Sequence, residues 1–206
     1  AEVTLEDVVQ ITTTLDRRFM AGMAYFLGLR KLGAGLVRVG SGVPELQWDS
    51  IKRFQPTYLV AVPSFLIKLG KYAKDHGIDC KNTSIKAAIC IGESLRDENF
   101  KLNALGKKIE ELWGIELFST YASTEMSTAF TECEAHEGNH ILEDLIYTEI
   151  VDEQGNLVKD GEVGELVITT LGIETMPLVR YATGDLVKKI TSPCKCGRQG
   201  ARLSSV

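Results

Sequence analysis

Two uninterrupted apolar runs constrain the fold of this chain more than any other feature. Residues 58–62 read Tyr-Leu-Val-Ala-Val, and residues 85–91 form a second run that is apolar except for one lysine. Runs of this kind are typical of strands that are buried on both faces, as in parallel sheets. Segments with apolar residues at helical spacing separate and follow these runs. Strands alternating with helices predict an α/β fold with a mostly parallel sheet flanked by helices.

The helices and the remaining strands of this first part are marked by spacing and by glycine stops. Helices are expected over residues 18–32, 45–54, 63–76 and 102–112, and further strands over 36–39 and 115–118. The segments 92–94 and 121–125 each directly follow a predicted strand. Because ligands bind at the carboxyl ends of parallel strands, we expect both segments to face one crevice.

The pattern changes after Glu125. Strands are predicted over residues 146–151, 164–170, 178–181 and 186–190, with turns between them. We therefore expect an α/β subdomain over residues 1–126, followed by a smaller β subdomain over residues 127–206.

The composition limits the classes of partner. Of the 206 residues, 44% are hydrophobic and 25% are charged, which favours a packed core over disorder. A net charge of -5 and a pI near 5.3 argue against a nucleic-acid-binding surface. The sequence has neither an apolar run long enough to span a bilayer nor a signal peptide at Ala1. We predict a cytoplasmic protein without nucleic-acid or membrane partners.

Two short segments carry residue types that suit a nucleotide. Tyr121-Ala122-Ser123-Thr124-Glu125 offers a ring that can stack on a base, hydroxyls for phosphate oxygens and a carboxylate for Mg²⁺. Asp185 follows Thr183 and Gly184, where a carboxylate can accept the hydroxyl hydrogens of a ribose. Taken singly, each segment is explained equally well or better as an ordinary turn.

The order of the motifs resembles the adenylate-forming superfamily of acyl-CoA synthetases, luciferases and peptide-synthetase adenylation domains. The motifs are Gly92-Glu93-Ser94 and the segments 121–125, 161–170 and 180–186. Other segments are similar to the phenylacetate–CoA ligase family, and they lie at residues 54–57, 63–64, 140–144, 176–181 and 193–198.

This resemblance implies which positions contact the nucleotide. The turn Gly92-Glu93-Ser94 places its backbone beside adenine, and Tyr121, followed by Ala122 and Ser123, stacks on the same base. Asp185 holds the ribose. Arg198 matches a basic residue that reaches the ribose or phosphate, although a solvated arginine explains it equally well.

The resemblance also implies the reaction. Thr124 lies near the phosphate and Glu125 binds Mg²⁺ as the catalytic pair. A carboxylate attacks the α-phosphate of ATP to give an acyl-AMP and pyrophosphate, and the thiol of coenzyme A then forms the thioester. The acid is phenylacetate or a related aryl acid. Phe19, Tyr25 and Phe26 either line its pocket or simply pack a helix.

In this family a phosphate loop with its lysine precedes the region of Ala1, and a lysine-bearing lid domain follows that of Val206. We therefore expect the chain to be the central part of a longer ligase and to be inactive when isolated. Two other hypotheses remain: a non-catalytic module that binds ATP or AMP, and a zinc-stabilised interaction domain. Family members often pair, so a homodimer is a further expectation.

Cysteine and histidine residues suggest a zinc site. Cys194 and Cys196 lie in a knuckle flanked by proline and glycine, and Cys133 and His140 lie in an earlier loop. Three thiolates and one imidazole make a complete tetrahedral set, which is structural rather than catalytic. The resemblance favours His140, but Cys133 and His136 also have a chelating spacing. Free surface thiols are the simpler alternative.

Overall fold

The computed structural model describes residues 2–16 and 19–204. The chain divides into two compact units, and each is described by itself. The first unit comprises residues 1–95 and 102–118, and the second comprises residues 96–101 and 119–206. The division falls within a strand, between Phe118 and Ser119, whereas the sequence placed it after residue 126.

The first unit is built on a parallel sheet. The strands are β1 (Val8–Ile11), β2 (Gly35–Arg38), β3 (Tyr58–Ala61), β4 (Ala87–Ile91) and β5 (Glu116–Ser123). The first four run in the order β2-β1-β3-β4, and every neighbouring pair is parallel. Glu116 at the start of β5 donates its N–H to the carbonyl of Lys86, 3.1 Å away, and so begins the next strand.

Four helices accompany this sheet, and their ends follow from the sequence. Prolines occupy the first positions of α2 and α3, where the missing N–H costs nothing. Gly33 and Gly114 end α1 and α4 in the left-handed conformation that glycine adopts without strain. The predicted start at Arg18 lies outside the described residues. The helices are α1 (Met20–Leu32), α2 (Pro44–Phe54), α3 (Pro63–Asp75) and α4 (Ala104–Trp113).

Two stacked indoles form the centre of the core shared by α2, α3 and α4. The rings of Trp48 and Trp113 lie 5.2 Å apart and only 4° from parallel. Each ring N–H donates to a backbone carbonyl of α3, Trp48 to Leu69 and Trp113 to Leu66. Their polar atoms are therefore satisfied, which lets both large rings be buried.

The second unit is an antiparallel sheet. Besides the end of β5, its strands are β6 (Thr128–Glu132), β7 (Asn139–His140), β8 (Ile146–Val151), β9 (Val163–Thr170), β10 (Tyr181–Ile190) and β11 (Arg202–Leu203). They run in the order β5-β6-β7-β11-β10-β9-β8. Phe130, Leu166 and Ile168 are fully buried at the core of this sheet.

The predicted fold class, a parallel α/β part followed by a β part, is confirmed, but three local features differ from the predictions. Strands β1, β6, β7 and β11 were not predicted. The strands predicted over 178–181 and 186–190 form one strand, β10, that contains an irregularity. Tyr121 does not follow a strand but lies within β5, because β5 continues in antiparallel pairing with β6. Among the described helices, none has the length and apolar character needed to cross a membrane.

Candidate functional site

Tyr121 and Asp185, which are far apart in the sequence, are in direct contact. The Tyr121 hydroxyl donates a 2.6 Å hydrogen bond to Oδ2 of Asp185. Burial, followed by this bond to a carboxylate, raises the pKa of Tyr121 well above its ordinary value, so the hydroxyl stays a donor. A carboxylate has about four acceptor positions, so Asp185 can still accept hydroxyl hydrogens from a ligand.

A β-bulge in β10 places Asp185. Residues 183–185 face only Leu166 of β9, because Ala182 pairs with Val167 and Leu186 pairs with Glu165. Gly184 adopts a φ of +81° at the centre of the bulge. Such bulges re-aim side chains and are common beside functional sites.

The bulge is held in place by side-chain hydrogen bonds to β9. Thr183 donates its hydroxyl to the carbonyl of Leu166 at 2.9 Å, and Gly184 donates its N–H to the Glu165 carboxylate at 3.0 Å. The Asp185 N–H in turn donates to the Thr183 hydroxyl at 3.2 Å. The predicted Thr-Gly-Asp turn is therefore a fixed feature within a strand.

Thr124 and Glu125 lie at the exposed tip of the hairpin that joins β5 to β6. Met126 next to them is almost fully buried, and its N–H donates to the Ser123 hydroxyl at 3.3 Å. Ser127 closes the turn with a 3.1 Å backbone hydrogen bond to the Thr124 carbonyl. The hairpin thus presents a hydroxyl and a carboxylate to solvent, within the same unit as Tyr121 and Asp185. Ala122, between Tyr121 and Ser123, is also exposed.

The turn Gly92-Glu93-Ser94 belongs to the first unit and directly follows β4, as predicted. Gly92 is exposed and has a φ of +81°. One carboxylate oxygen of Glu93 accepts the N–H of Ser64 at 2.7 Å and so caps the amino end of α3. The Ser94 carbonyl accepts the side-chain amide of Asn103 at 2.8 Å. The Glu93 side chain thus connects its turn to the amino end of α3.

The four zinc candidates come together in the second unit. The ligand atoms of Cys133, His140, Cys194 and Cys196 all lie within 4.8 Å of one another. The Cys133 and Cys194 sulfurs are 3.5 Å apart, as are the Cys196 sulfur and Nε2 of His140. Tetrahedral zinc with Zn–S bonds of about 2.3 Å separates its sulfur ligands by roughly 3.8 Å. The donor types, their number and their spacing therefore fit zinc.

Two further predicted residues lie near this cluster. His136 points its Nδ1 at the Glu132 carboxylate, 3.1 Å away, and is not among the clustered ligands. Arg198 is exposed, just after the knuckle. Burial, and then the charges of Arg198 and Arg202, lower the pKa of His140, which keeps the imidazole neutral as a ligand must be.

Sequence reasoning missed a buried ionic network. Glu132 is 1% exposed, and its carboxylate accepts hydrogen bonds from Arg96 at 2.6 Å and from the Ser119 N–H at 3.0 Å. Burial alone would raise the pKa of Glu132, but the bonds from His136 and Arg96 lower it below its ordinary value. The alternation of side chains along a strand could have indicated it. Glu132 lies two residues after Phe130, so its side chain shares the inward face of β6 and needs buried partners.

Comparison with known proteins decides the family. A sequence family described as AMP-binding enzyme matches residues 2–176. The chain belongs to the AMP-binding enzyme family. Curated relatives of the chain include phenylacetate-coenzyme A ligases. The one from Thermus thermophilus is 32% identical over 91% of this chain and 42% of its own length, and that from Escherichia coli K12 is 30% identical over 90% and 42%.

Solved structures agree with this assignment. An open conformation of 2-hydroxyisobutyryl-CoA ligase, in complex with 2-HIB-AMP and CoA, has a TM-score of 0.84 and 26% identity, and covers 98% of this chain and 44% of its own. A benzoate CoA ligase from Burkholderia xenovorans LB400 shares the fold with a TM-score of 0.68 at 18% identity, over 98% of this chain and 42% of its own. The chain thus spans less than half the length of these relatives and structures.

Proposed function

We propose that this chain is the nucleotide-binding part of an ATP-dependent carboxylate–CoA ligase that acts on phenylacetate or a related aryl acid. The Tyr121–Asp185 contact supports the proposal most directly. It joins a ring that can stack on a base to a carboxylate that can hold a ribose, in a chain of the AMP-binding family. If both segments were ordinary turns, no contact between Tyr121 and Asp185 would be expected.

Each residue has a distinct role in this proposal. Tyr121 stacks on adenine with its hydroxyl fixed by Asp185. Asp185 accepts the ribose hydroxyls. Thr124 contacts the α-phosphate and Glu125 binds Mg²⁺, which prefers one or two carboxylates together with phosphate oxygens. Arg198 reaches the ribose or phosphate.

The chemistry needs positioning and charge neutralisation rather than a protein nucleophile. The acid's carboxylate attacks the α-phosphate of ATP, the bond to pyrophosphate breaks, and the acyl-AMP then transfers its acyl group to the thiol of coenzyme A. Fixed donors around a phosphate that gains charge supply most of the rate enhancement in such reactions. The exposed tip at Thr124 and Glu125 suits that task.

An aryl acid is supported by the phenylacetate-coenzyme A ligases among the relatives. The aromatic residues of α1 contribute unequally. Tyr25 and Phe26 are partly buried against the core of the first unit, which is ordinary helix packing. Phe19 is 43% exposed, so of the three it is the one free to contact an acid.

The test is acid-dependent release of pyrophosphate by the full-length protein. We expect release to require ATP, Mg²⁺ and phenylacetate together. The substitution Glu125→Gln should cut the rate by about 10²-fold or more at low Mg²⁺, with partial recovery at high Mg²⁺, since removal of one charge-stabilising group costs about this much. Unchanged Mg²⁺ dependence would refute the role of Glu125, and AMP binding without any turnover would favour a non-catalytic nucleotide module.

We also propose that Cys133, His140, Cys194 and Cys196 hold a structural zinc ion. When bound, the ion would tie Cys133 and strand β7 to the knuckle at 194–196. The four side chains would complete a tetrahedral set and leave no coordination position for water. Elemental analysis of the purified protein should give about one zinc per chain. Cys194→Ser should lower that content, whereas Cys80→Ser, at a buried thiol outside the cluster, should not. Less than a tenth of an equivalent in the unaltered protein would sink the zinc assignment.

A further inference from the structure

We propose that Glu132 is a positioning residue that couples the Cys133–His140–Cys194–Cys196 cluster to the strand that carries Tyr121. The inference rests on the proposed function, because that function assigns Tyr121 to the nucleotide and the cluster to zinc. It goes further by giving the two sites one shared carboxylate. Zinc and nucleotide would then influence each other's binding.

Glu132 faces three different segments of the second unit. It is the last residue of β6 and is 1% exposed. Its Oε1 accepts from Nε of Arg96 at 2.6 Å, and its Oε2 lies 3.0 Å from the Ser119 N–H and 3.1 Å from Nδ1 of His136. Both carboxylate oxygens therefore accept hydrogen bonds, so a displacement of one segment alters the contacts of Glu132 with the other two.

The contact to Ser119 reaches the nucleotide side. Strands β5 and β6 pair Tyr121 with Phe130 and Thr120 with Thr131. At the next position along β5, the Glu132 side chain accepts the Ser119 N–H and so continues the pairing in place of a backbone carbonyl. The carboxylate thus fixes β5 two residues before Tyr121.

The other contacts reach the metal side. Glu132 directly precedes Cys133, and its backbone pairs with Asn139 of β7, next to the rung that joins Thr131 to His140. His136 lies in the loop between these two ligands, and its N–H donates to the Cys133 carbonyl at 3.0 Å. A metal that draws Cys133 and His140 together therefore sets the position of both the backbone and the partner of Glu132.

The charge of Glu132 is essential to this role. The Arg96 side chain is 7% exposed, and Glu132 compensates the charge of its guanidinium. Converting the carboxylate into an amide removes that compensation and presents a donor to a donor. The same change at an exposed pair, such as Asp49 with Arg53 on α2, costs little because water screens both charges.

The experiment measures the zinc affinity of the full-length protein by competition with a chromophoric chelator, with and without saturating AMP. Linkage requires AMP to tighten zinc by the same factor by which zinc tightens AMP. We expect AMP to tighten zinc by about 5-fold or more in the unaltered protein. Glu132→Gln should reduce that factor to about one, and the control Asp49→Asn should leave it unchanged.

Each outcome supports or overturns the coupling through Glu132. A Glu132→Gln protein in which AMP tightens zinc as strongly as in the unaltered protein overturns the inference. If that variant fails to fold by circular dichroism, Arg96→Lys, which keeps the positive charge but alters the contact to Glu132, takes its place and should also lower the factor. An unaltered protein that binds both ligands independently refutes the coupling alone, whereas one that binds neither refutes the proposed function and the coupling with it.

Discussion

At the scale of single residues, the position of Asp185 depends on the backbone of its neighbour. Gly184 has a φ of +81°, which L side chains rarely adopt, and an added Cβ there would meet no atom within 4 Å. The cost of a side chain at this position is therefore conformational rather than steric. Gly155, in the turn after β8, has a φ of +80° and equally open surroundings, but it is remote in sequence from the site residues.

These two glycines allow a matched prediction. Gly184→Ala and Gly155→Ala should each lower the free energy of unfolding by about 1 kcal/mol, because alanine is strained at positive φ. Only Gly184→Ala should also weaken AMP binding, by about 5-fold, which corresponds to one hydrogen bond of about 1 kcal/mol. Denaturant titration and calorimetry measure the two quantities. Equal AMP affinity in both variants would show that the bulge does not position Asp185.

At the scale of elements, short-range sequence patterns predicted the helices and the buried strands. They did not predict strands that depend on pairing between distant segments. Strand β1 was missed because Gln10 interrupts its apolar pattern. In the fold Gln10 is completely buried, and its amide donates to the Gln47 side chain of α2 at 2.8 Å. A polar residue is acceptable in a core strand only when such a partner exists, and the partner is distant in sequence.

The candidate site shows the same division between what residue types and what tertiary structure determine. Residue types sufficed to propose Cys133, Cys194 and Cys196 as thiolate ligands. The choice of histidine required the fold, because β7 pairs His140 with Thr131 and with Arg202, whereas His136 has a φ of +53° and contacts Glu132. Similarly, Thr-Gly-Asp suggested a turn, and only the pairing of β10 with β9 makes it a bulge.

At the scale of the whole molecule, the chain is a member of the AMP-binding enzymes that covers about 42% of the length of its phenylacetate-coenzyme A ligase relatives. The second unit brings together the Tyr121–Asp185 contact, the hairpin tip at Thr124 and Glu125, and the cysteine–histidine cluster. All three features lie on the strands of its antiparallel sheet or in the segments that connect or flank those strands. We propose that this sheet presents one nucleotide site.

A crystal structure of the full-length protein with bound AMP tests that claim most directly. We predict that the adenine lies on the ring of Tyr121, that the ribose hydroxyls donate to Asp185 and that the phosphate lies beside Thr124. The Tyr121–Asp185 hydrogen bond, 2.6 Å here, should persist. AMP bound at another place, with Tyr121 and Asp185 both remote from it, would contradict the account.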